Sequence, residues 1–361
     1  MQSKLLYLRQ IFPGVALALI FYLFSQGINN VLAIEIFGTS KSPISTVLIA
    51  IILGIIMGNA FTPRPGMMVG LDFTQQYILK LGIICLGIRL SFEEFVKFGS
   101  ISIPLIIVCI LGVLILIKLL IKKVPISSKM SYLIAIGTSV CGATAIVATA
   151  PVINAKKSEI AYAIANITLF GVIAMIVYPY FAEWYFDENE IKAGLFLGTA
   201  IHETSQVAAA GLIYDQQFNS PETLNVATVT KLIRNTFLVI MIPLFALLYN
   251  RGEMKSKSYS LLNIFPYFVL GFIGMIILRN LGDQIFSNGN GNQFYWINFI
   301  ELIKIFATTF LTMAMAAVGI SINLGELKLM GYKPFVVGLI AAVTVGLISL
   351  IYIETIFRFF I

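Results

Sequence analysis

The chain has 361 residues, 59% of them hydrophobic and only 11% charged, with mean hydropathy +0.94, whereas soluble domains run at roughly 45–50% apolar. This excludes a soluble globular domain and predicts an all-α polytopic membrane protein with the lipid bilayer as its solvent. The net charge of +7 does not imply a nucleic-acid partner, because Lys and Arg fall in short clusters between apolar runs, as in cytoplasmic loops.

At about 20 apolar residues per crossing, spans are predicted near Phe12–Ile28, Pro43–Ala60, Phe73–Leu90 and Ile101–Ile121. No small-residue cleavage motif follows the first run, which is therefore expected to remain as a span. Next comes a polar, small-residue segment, "IGTSVCGATAIVATAPVINAK" (Ile136 to Lys156). A span at Ile160–Phe181 and the acidic loop "AEWYFDENEIK" lead to a second such segment, "LGTAIHETSQVAAAGLIYD" (Leu197 to Asp215). Further spans are predicted at Leu224–Tyr249, Leu262–Leu278, Trp296–Ile320 and Phe335–Phe357, with "SNGNGNQ", Ser287 to Gln293, as an exposed turn. The expectation is about 9–11 transmembrane helices. Cys85, Cys109 and Cys141 lie inside apolar runs without disulfide or metal-ligand spacing, so no metal and no cofactor is expected.

Backbone that leaves the helix inside a bilayer must be buried in protein or line a watery cavity. The two polar segments are therefore expected to meet near the membrane centre and form a solute site. Lys4 and Arg9 place the N-terminus inside, and Lys122–Lys129, Arg251–Lys257 and the Lys328/Lys333 loop then come out cytoplasmic. Lys156 and Lys157 join them if the first segment dips in and returns. The second must then dip from the opposite face, leaving Asp187 to Glu190 outside. Two re-entrant elements, about 131–156 and 192–215, are thus expected, with two complete but broken crossings as the alternative. Both segments precede an apolar span with a proline near its end, Pro179 and Pro243. A second echo pairs "GIRLSFEEFVKFG" (Gly87 to Gly99) with "GISINLGELKLMG" (Gly319 to Gly331). Inverted repeats of this kind build many transporters. The chain reads as one transporter domain over 1–361, with scaffold helices among 12–90 and 262–320.

The only histidine stands in His202-Glu203-Thr204-Ser205-Gln206. A zinc peptidase needs a second histidine four residues on, and that position is Gln206. No nucleophile elbow is present either, so no catalytic residue is expected. Ionisable groups inside an apolar region carry a penalty of roughly 2.5 to 3.5 kcal/mol, usually accepted for function. Glu203 is suited to proton exchange and His202 to substrate binding or pH sensing; the bland alternative is a helix cap at the membrane surface. Lys231 and Arg234, three apart, share a helix face, with Lys231 about 10 to 12 Å into its span. They suit an anionic solute or a counter-charge for Glu203, against snorkelling to the interface. In the first segment Thr138, Ser139, Cys141, Gly142, Ala143 and Thr144 offer hydroxyls, a thiol and exposed amides of the kind that bind oxyanions, against small-residue helix packing. Asn166 and Thr168 are candidates to line the same cavity. Lys80 and Arg89 read as an interface anchor or inter-helix bond.

The strings "GTSVCGATAIVATAPVINAK", "AIANITLFGVIAMIVYPYF", "GTAIHETSQVAAAGLIYD" and "LGIRLSFEEF" resemble those of the sulfate-exporter family of bacterial membrane proteins, over nearly the whole chain. The resemblance implies a secondary transporter related to the superfamily of cation/proton antiporters and bile-acid symporters, with inverted repeats and an elevator-like core in the bacterial inner membrane. It makes Cys141, Gly142, Ala143, His202, Glu203 and Gln206 core positions, with Lys231 and Arg234 on the neighbouring helix. Thr144 stands where serine is expected in many relatives.

The combined expectation is a proton-coupled secondary carrier of a small anion such as sulfate or an organosulfonate. Its substrate-binding residues are Thr138, Ser139, Cys141, Gly142, Ala143, Thr144, His202, Glu203, Thr204, Gln206, Lys231 and Arg234, with Glu203 and His202 coupling. A homodimer is the expected assembly, and the competing class is a channel-like or sensory membrane protein.

Overall fold

The chain is seen in a computed structural model that describes residues 2–36, 38, 42, 44–61, 65–120, 126–187, 189–249, 266–286, 293–323, 325 and 332–356. The predicted Ser287 turn, the Arg251–Lys257 cluster, Lys122, Lys328 and most of Gly319–Gly331 lie outside the described residues. No strand occurs among those described. Their helices are α1 (Gln2–Val31), α2 (Thr46–Ala60), α3 (Pro65–Phe73), α4 (Leu79–Leu86), α5 (Phe92–Leu120), α6 (Ser128–Ser139), α7 (Ala143–Thr149), α8 (Lys157–Phe186), α9 (Glu190–Ala200), α10 (Thr204–Phe218), α11 (Pro221–Thr236), α12 (Leu238–Tyr249), α13 (Phe268–Phe286), α14 (Gln293–Ser321) and α15 (Tyr332–Ile356).

Among the described residues seven helices are long and apolar enough to cross a membrane, α11 and α12 counting as one through Phe245. The chain is thus an all-α, multi-pass membrane protein. Two spans expected from the sequence fall outside this set for physical reasons. At fifteen residues, α2 is short, and Pro65 to Arg89 is interrupted by a π-turn at Thr74–Ile78 and a 3-10 turn at Gly87–Arg89. The span predicted from Ile101 begins instead at Phe92, because Ser91 and Glu94 form a reciprocal cap: the Ser91 amide donates to Glu94 Oε2 at 2.7 Å and the Glu94 amide to Ser91 Oγ at 3.1 Å.

The chain divides into two compact units built from discontinuous segments. The first comprises Met1–Phe95, Leu212–Pro221 and Phe268–Glu326. Its helices approach through glycine. A β-carbon on Gly54 of α2 would lie 2.6 Å from the Ala316 carbonyl of α14, and one on Gly319 would lie 2.5 Å from the Ile51 carbonyl. With little hydrophobic drive between helices in lipid, such close backbone contact supplies the association. Polar side chains reinforce it: Gln75 Nε2 donates to the Ala317 carbonyl (3.1 Å) and Ser321 Oγ (2.7 Å), and Asn59 Nδ2 to the Ile322 carbonyl (2.8 Å). Arg89 makes the inter-helix bond, to Asp215 at 2.7 Å.

The second unit comprises Val96–Gly211, Glu222–Tyr267 and Leu327–Ile361, and in it the first polar segment and the second as far as Gly211 lie as hairpins. In the first, α6 runs in, the chain breaks at Val140–Gly142, and α7 returns. Lys129 at the start of α6 donates to the Asn154 carbonyl beyond α7 at 2.7 Å, and Ser127 bonds Glu159. In the second, α9 runs in beside α11, Gly194 meeting Thr223 and Val226 and Gly198 meeting Ala227 and Thr230. After a break at Ile201–Glu203, α10 runs back, from Thr204 bonded to Asn235 at 2.9 Å to Gly211 against Leu224. The Thr223 hydroxyl closes the base by donating to the Glu190 carbonyl at 3.1 Å. The first hairpin lies along α12, with Tyr132 edge-on to Phe245 at 5.8 Å and Ile136 and Val140 packed with Leu238 and Met241. The two hairpins therefore enter from opposite ends of the Pro221–Phe245 span.

Two outcomes follow. Gly319→Val should cost about 1–3 kcal/mol through overpacking against backbone, read as a lower melting temperature in detergent. Gly274→Ala, whose surroundings are open, should leave it unchanged. Single cysteines at Lys157 and Asp187, the two ends of the 30-residue α8, should label from opposite membrane faces in a background without the native cysteines; labelling from one face contradicts the hairpin arrangement.

Candidate functional site

A helix ending inside the protein leaves its last carbonyls without partners, and in a bilayer no water reaches them. Both hairpins create this problem at their tips, and α11 answers it with two cations. Lys231 Nζ donates to the carbonyls of Val140 (3.0 Å), Ile201 (3.1 Å) and His202, using all three donors of an ammonium. Arg234 donates through Nε to the Ser139 carbonyl at 2.9 Å, through one terminal nitrogen to Thr199 and through the other to Thr138. Both side chains are fully buried. Cations at helix C-termini also meet the negative ends of the α6 and α9 dipoles. At 1.5 Å per residue Lys231 lies about 15 Å from the start of α11, near the middle of a bilayer core of about 30 Å.

This geometry changes the reading of several residues. Snorkelling does not apply to Lys231 or Arg234, because both are shut off from the surface. Lys231 presents no free donor to a solute and Arg234 spends three of its five on carbonyls; together they join the two tips to each other and to α11. The expected watery gap between the segments is bridged by Glu203, whose Oε1 accepts the Ala143 amide at 2.9 Å. Gly142 makes this approach feasible. Its φ of +67° is a left-handed conformation that glycine adopts without strain, and a β-carbon there would strike the Glu203 side chain. Glu203 is thus no surface cap.

The other residues divide by what they touch. Gln206 accepts the Glu203 amide at 3.3 Å and donates to the Thr168 carbonyl of α8 at 3.3 Å, so it fixes the start of α10. His202 is 1% exposed, and neither ring nitrogen has a partner among the described residues; the same holds for the Thr138 hydroxyl. The Ser139 hydroxyl turns back to the Ile136 carbonyl at 3.5 Å. Cys141 packs with Ile136, Ala145, Met241 and Phe245 in an apolar cluster. Thr144 is exposed on α7 and joins none of these bonds. Asn166, a candidate for the cavity wall, instead donates to the Pro334 carbonyl of α15 at 2.7 Å. Missing from the sequence reading were Asn235, Thr199 and Ser349. Asn235 holds Thr204, and the Thr199 hydroxyl contacts Ser349 Oγ at 2.7 Å. Asn235 carried a signal, standing four residues after Lys231 on the same helix face; Ser349 carried none.

The family described as "Conserved hypothetical protein 698" matches residues 14–338. Similar chains include a "UPF0324 membrane protein" of Streptococcus agalactiae serotype V, 34% identical over 299 residues, or 83% of this chain and 86% of the relative. One of Fusobacterium nucleatum is 34% identical over 313 residues, covering 85% and 89%. One of Yersinia pestis is 32% identical over 308 residues, covering 81% and 79%. No solved structure matches the chain.

Removing the bracing should be felt in stability before function. Arg234→Met leaves three buried carbonyls unpaired at about 1–3 kcal/mol each and should lower the melting temperature sharply. Arg234→Lys, without the planar fork, should fall between, and Lys80→Ala should match the parent in the same thermal unfolding measurement.

Proposed function

We propose that this chain, which belongs to the conserved hypothetical protein 698 family of membrane proteins, is a secondary active transporter of a small anion. The observation that carries the reading is the meeting of two opposed hairpin tips at mid-span around Lys231, Arg234, Glu203 and His202. Interrupted helices meeting at the membrane midplane are the usual architecture of a carrier site, and a cluster of ionisable groups at that depth is retained for function. Two cations against one carboxylate favour an anionic solute. The resemblance to sulfate exporters narrows the candidates to sulfate or an organosulfonate, held by amides and hydroxyls of the Thr138–Thr144 and His202–Gln206 segments.

In this proposal Glu203 and His202 couple transport to protons, and alternating access is elevator-like, the unit with both hairpins moving as a body while the glycine-packed helices serve as scaffold. The hairpins are the cores of two inverted repeats within one transporter domain. The protein works in the bacterial inner membrane as a homodimer, without cofactor or metal and without enzymatic activity.

Purified protein in proteoliposomes should accumulate a small anion when a pH gradient is imposed and only equilibrate it without one. Flux that never exceeds equilibrium would identify a channel instead. The absence of flux for every anion in a panel of sulfate, sulfonates and carboxylates would refute transport.

A further inference from the structure

The contact between Glu203 and the first hairpin defines a charge class for the substrate. The ionisable groups at the tips are Lys231 and Arg234 on α11 and His202 and Glu203 at the second break, with Cys141 at the first break and Cys109 on α5 the other titratable groups within electrostatic reach. The side chains facing them from α10, Ser205 and Gln206, are uncharged, and α8 meets Gln206 through the Thr168 carbonyl. Two cations face about one unit of negative charge from the C-terminal ends of α6 and α9, at roughly half a charge each. Glu203 in its carboxylate form supplies another. With a neutral imidazole at His202, the region is close to balanced, before the small positive end of α10 is counted.

That carboxylate takes up a backbone donor of the kind an oxyanion uses. Its Oε1 takes the Ala143 amide at 2.9 Å, and its methylene and carboxyl carbons pack on Gly142. Lys231 offers no alternative place, because each of its donors is on a carbonyl, and Arg234 already spends three of its five donors on the tips.

We infer, resting on the transporter reading above, that Glu203 is a built-in counter-anion which substrate displaces, so that one proton and one singly charged anion enter together and no net charge crosses the membrane. A proton from one side adds to the carboxylate, and the neutral acid releases the Ala143 amide. The anion accepts that N–H and restores the balance. On the opposite side the anion leaves, the acid gives up its proton, and the carboxylate returns to Ala143. A dianion in the same place leaves one uncompensated negative charge in the membrane interior, so the site selects monoanions such as an alkylsulfonate over sulfate.

The test uses the full chain in proteoliposomes with labelled methanesulfonate and labelled sulfate. An inside-alkaline gradient of about one pH unit should drive about tenfold accumulation of methanesulfonate, unchanged by a potassium diffusion potential of either sign, and should not accumulate sulfate. Glu203→Gln should keep methanesulfonate exchange and lose its response to the pH gradient. Uptake of either anion that follows voltage rather than pH overturns the inference, and a Glu203→Gln protein that still responds to pH overturns it while leaving the transporter reading intact. Should that variant fail to fold, the pH and voltage measurements on the unaltered protein decide alone. No movement of either anion in exchange or net flux overturns the inference, and no flux across the wider anion panel overturns the transporter reading itself.

Discussion

Six backbone carbonyls at the ends of two interrupted helices govern the second unit. Each would be costly to leave bare in a low-dielectric interior, and each is met by a cation from the same helix, α11. The exchange is mutual, because a buried ammonium or guanidinium is tolerated only when its donors are satisfied. Neither partner can be removed alone. Lys231 holds Val140 together with Ile201 and His202, and Arg234 holds Thr138 and Ser139 together with Thr199, so the two tips are fastened to one point rather than merely near each other.

The first unit rests on a different principle. There the close contacts are backbone on backbone at Gly54 and Gly319, supplemented by Gln75 and Asn59 on carbonyls of α14. Such packing has no adjustable charge and few alternatives, because a displaced helix loses contact along its whole length. The hairpin unit carries its ionisable groups at the tips and holds Glu203 by a single amide bond to the facing hairpin.

The site was legible in proportion to how local its chemistry is. Gly142 next to a Thr-Ser-x-Cys run marked the first break, since a glycine in a lipid-depth polar stretch has a conformational reason to be there. His202 and Glu203 stood out because ionisable residues are rare in apolar surroundings. Less legible were the contacts set by a distant partner. Thr144 looked equivalent to Thr138, yet one is exposed and the other buried. Asn166 looked like a cavity residue, yet its amide is committed to Pro334, 168 positions away in the chain. Lys231 and Arg234 were recognised as a pair suited to a solute or to Glu203, and nothing local shows that carbonyls from two other segments meet them.

Composition and periodicity by themselves determined that the chain is helical and membrane-embedded, where most of its spans lie, and that two stretches cannot be ordinary lipid-facing helices. Those are properties of solvation, and solvation is written residue by residue. The tertiary structure alone decided that each stretch returns to the end it entered from, that the two come from opposite ends of one span, and that a carboxylate joins them. Such facts depend on which donor meets which carbonyl across separations of 29 to 96 residues, and a pairing of that range exists only once the helices have been brought together.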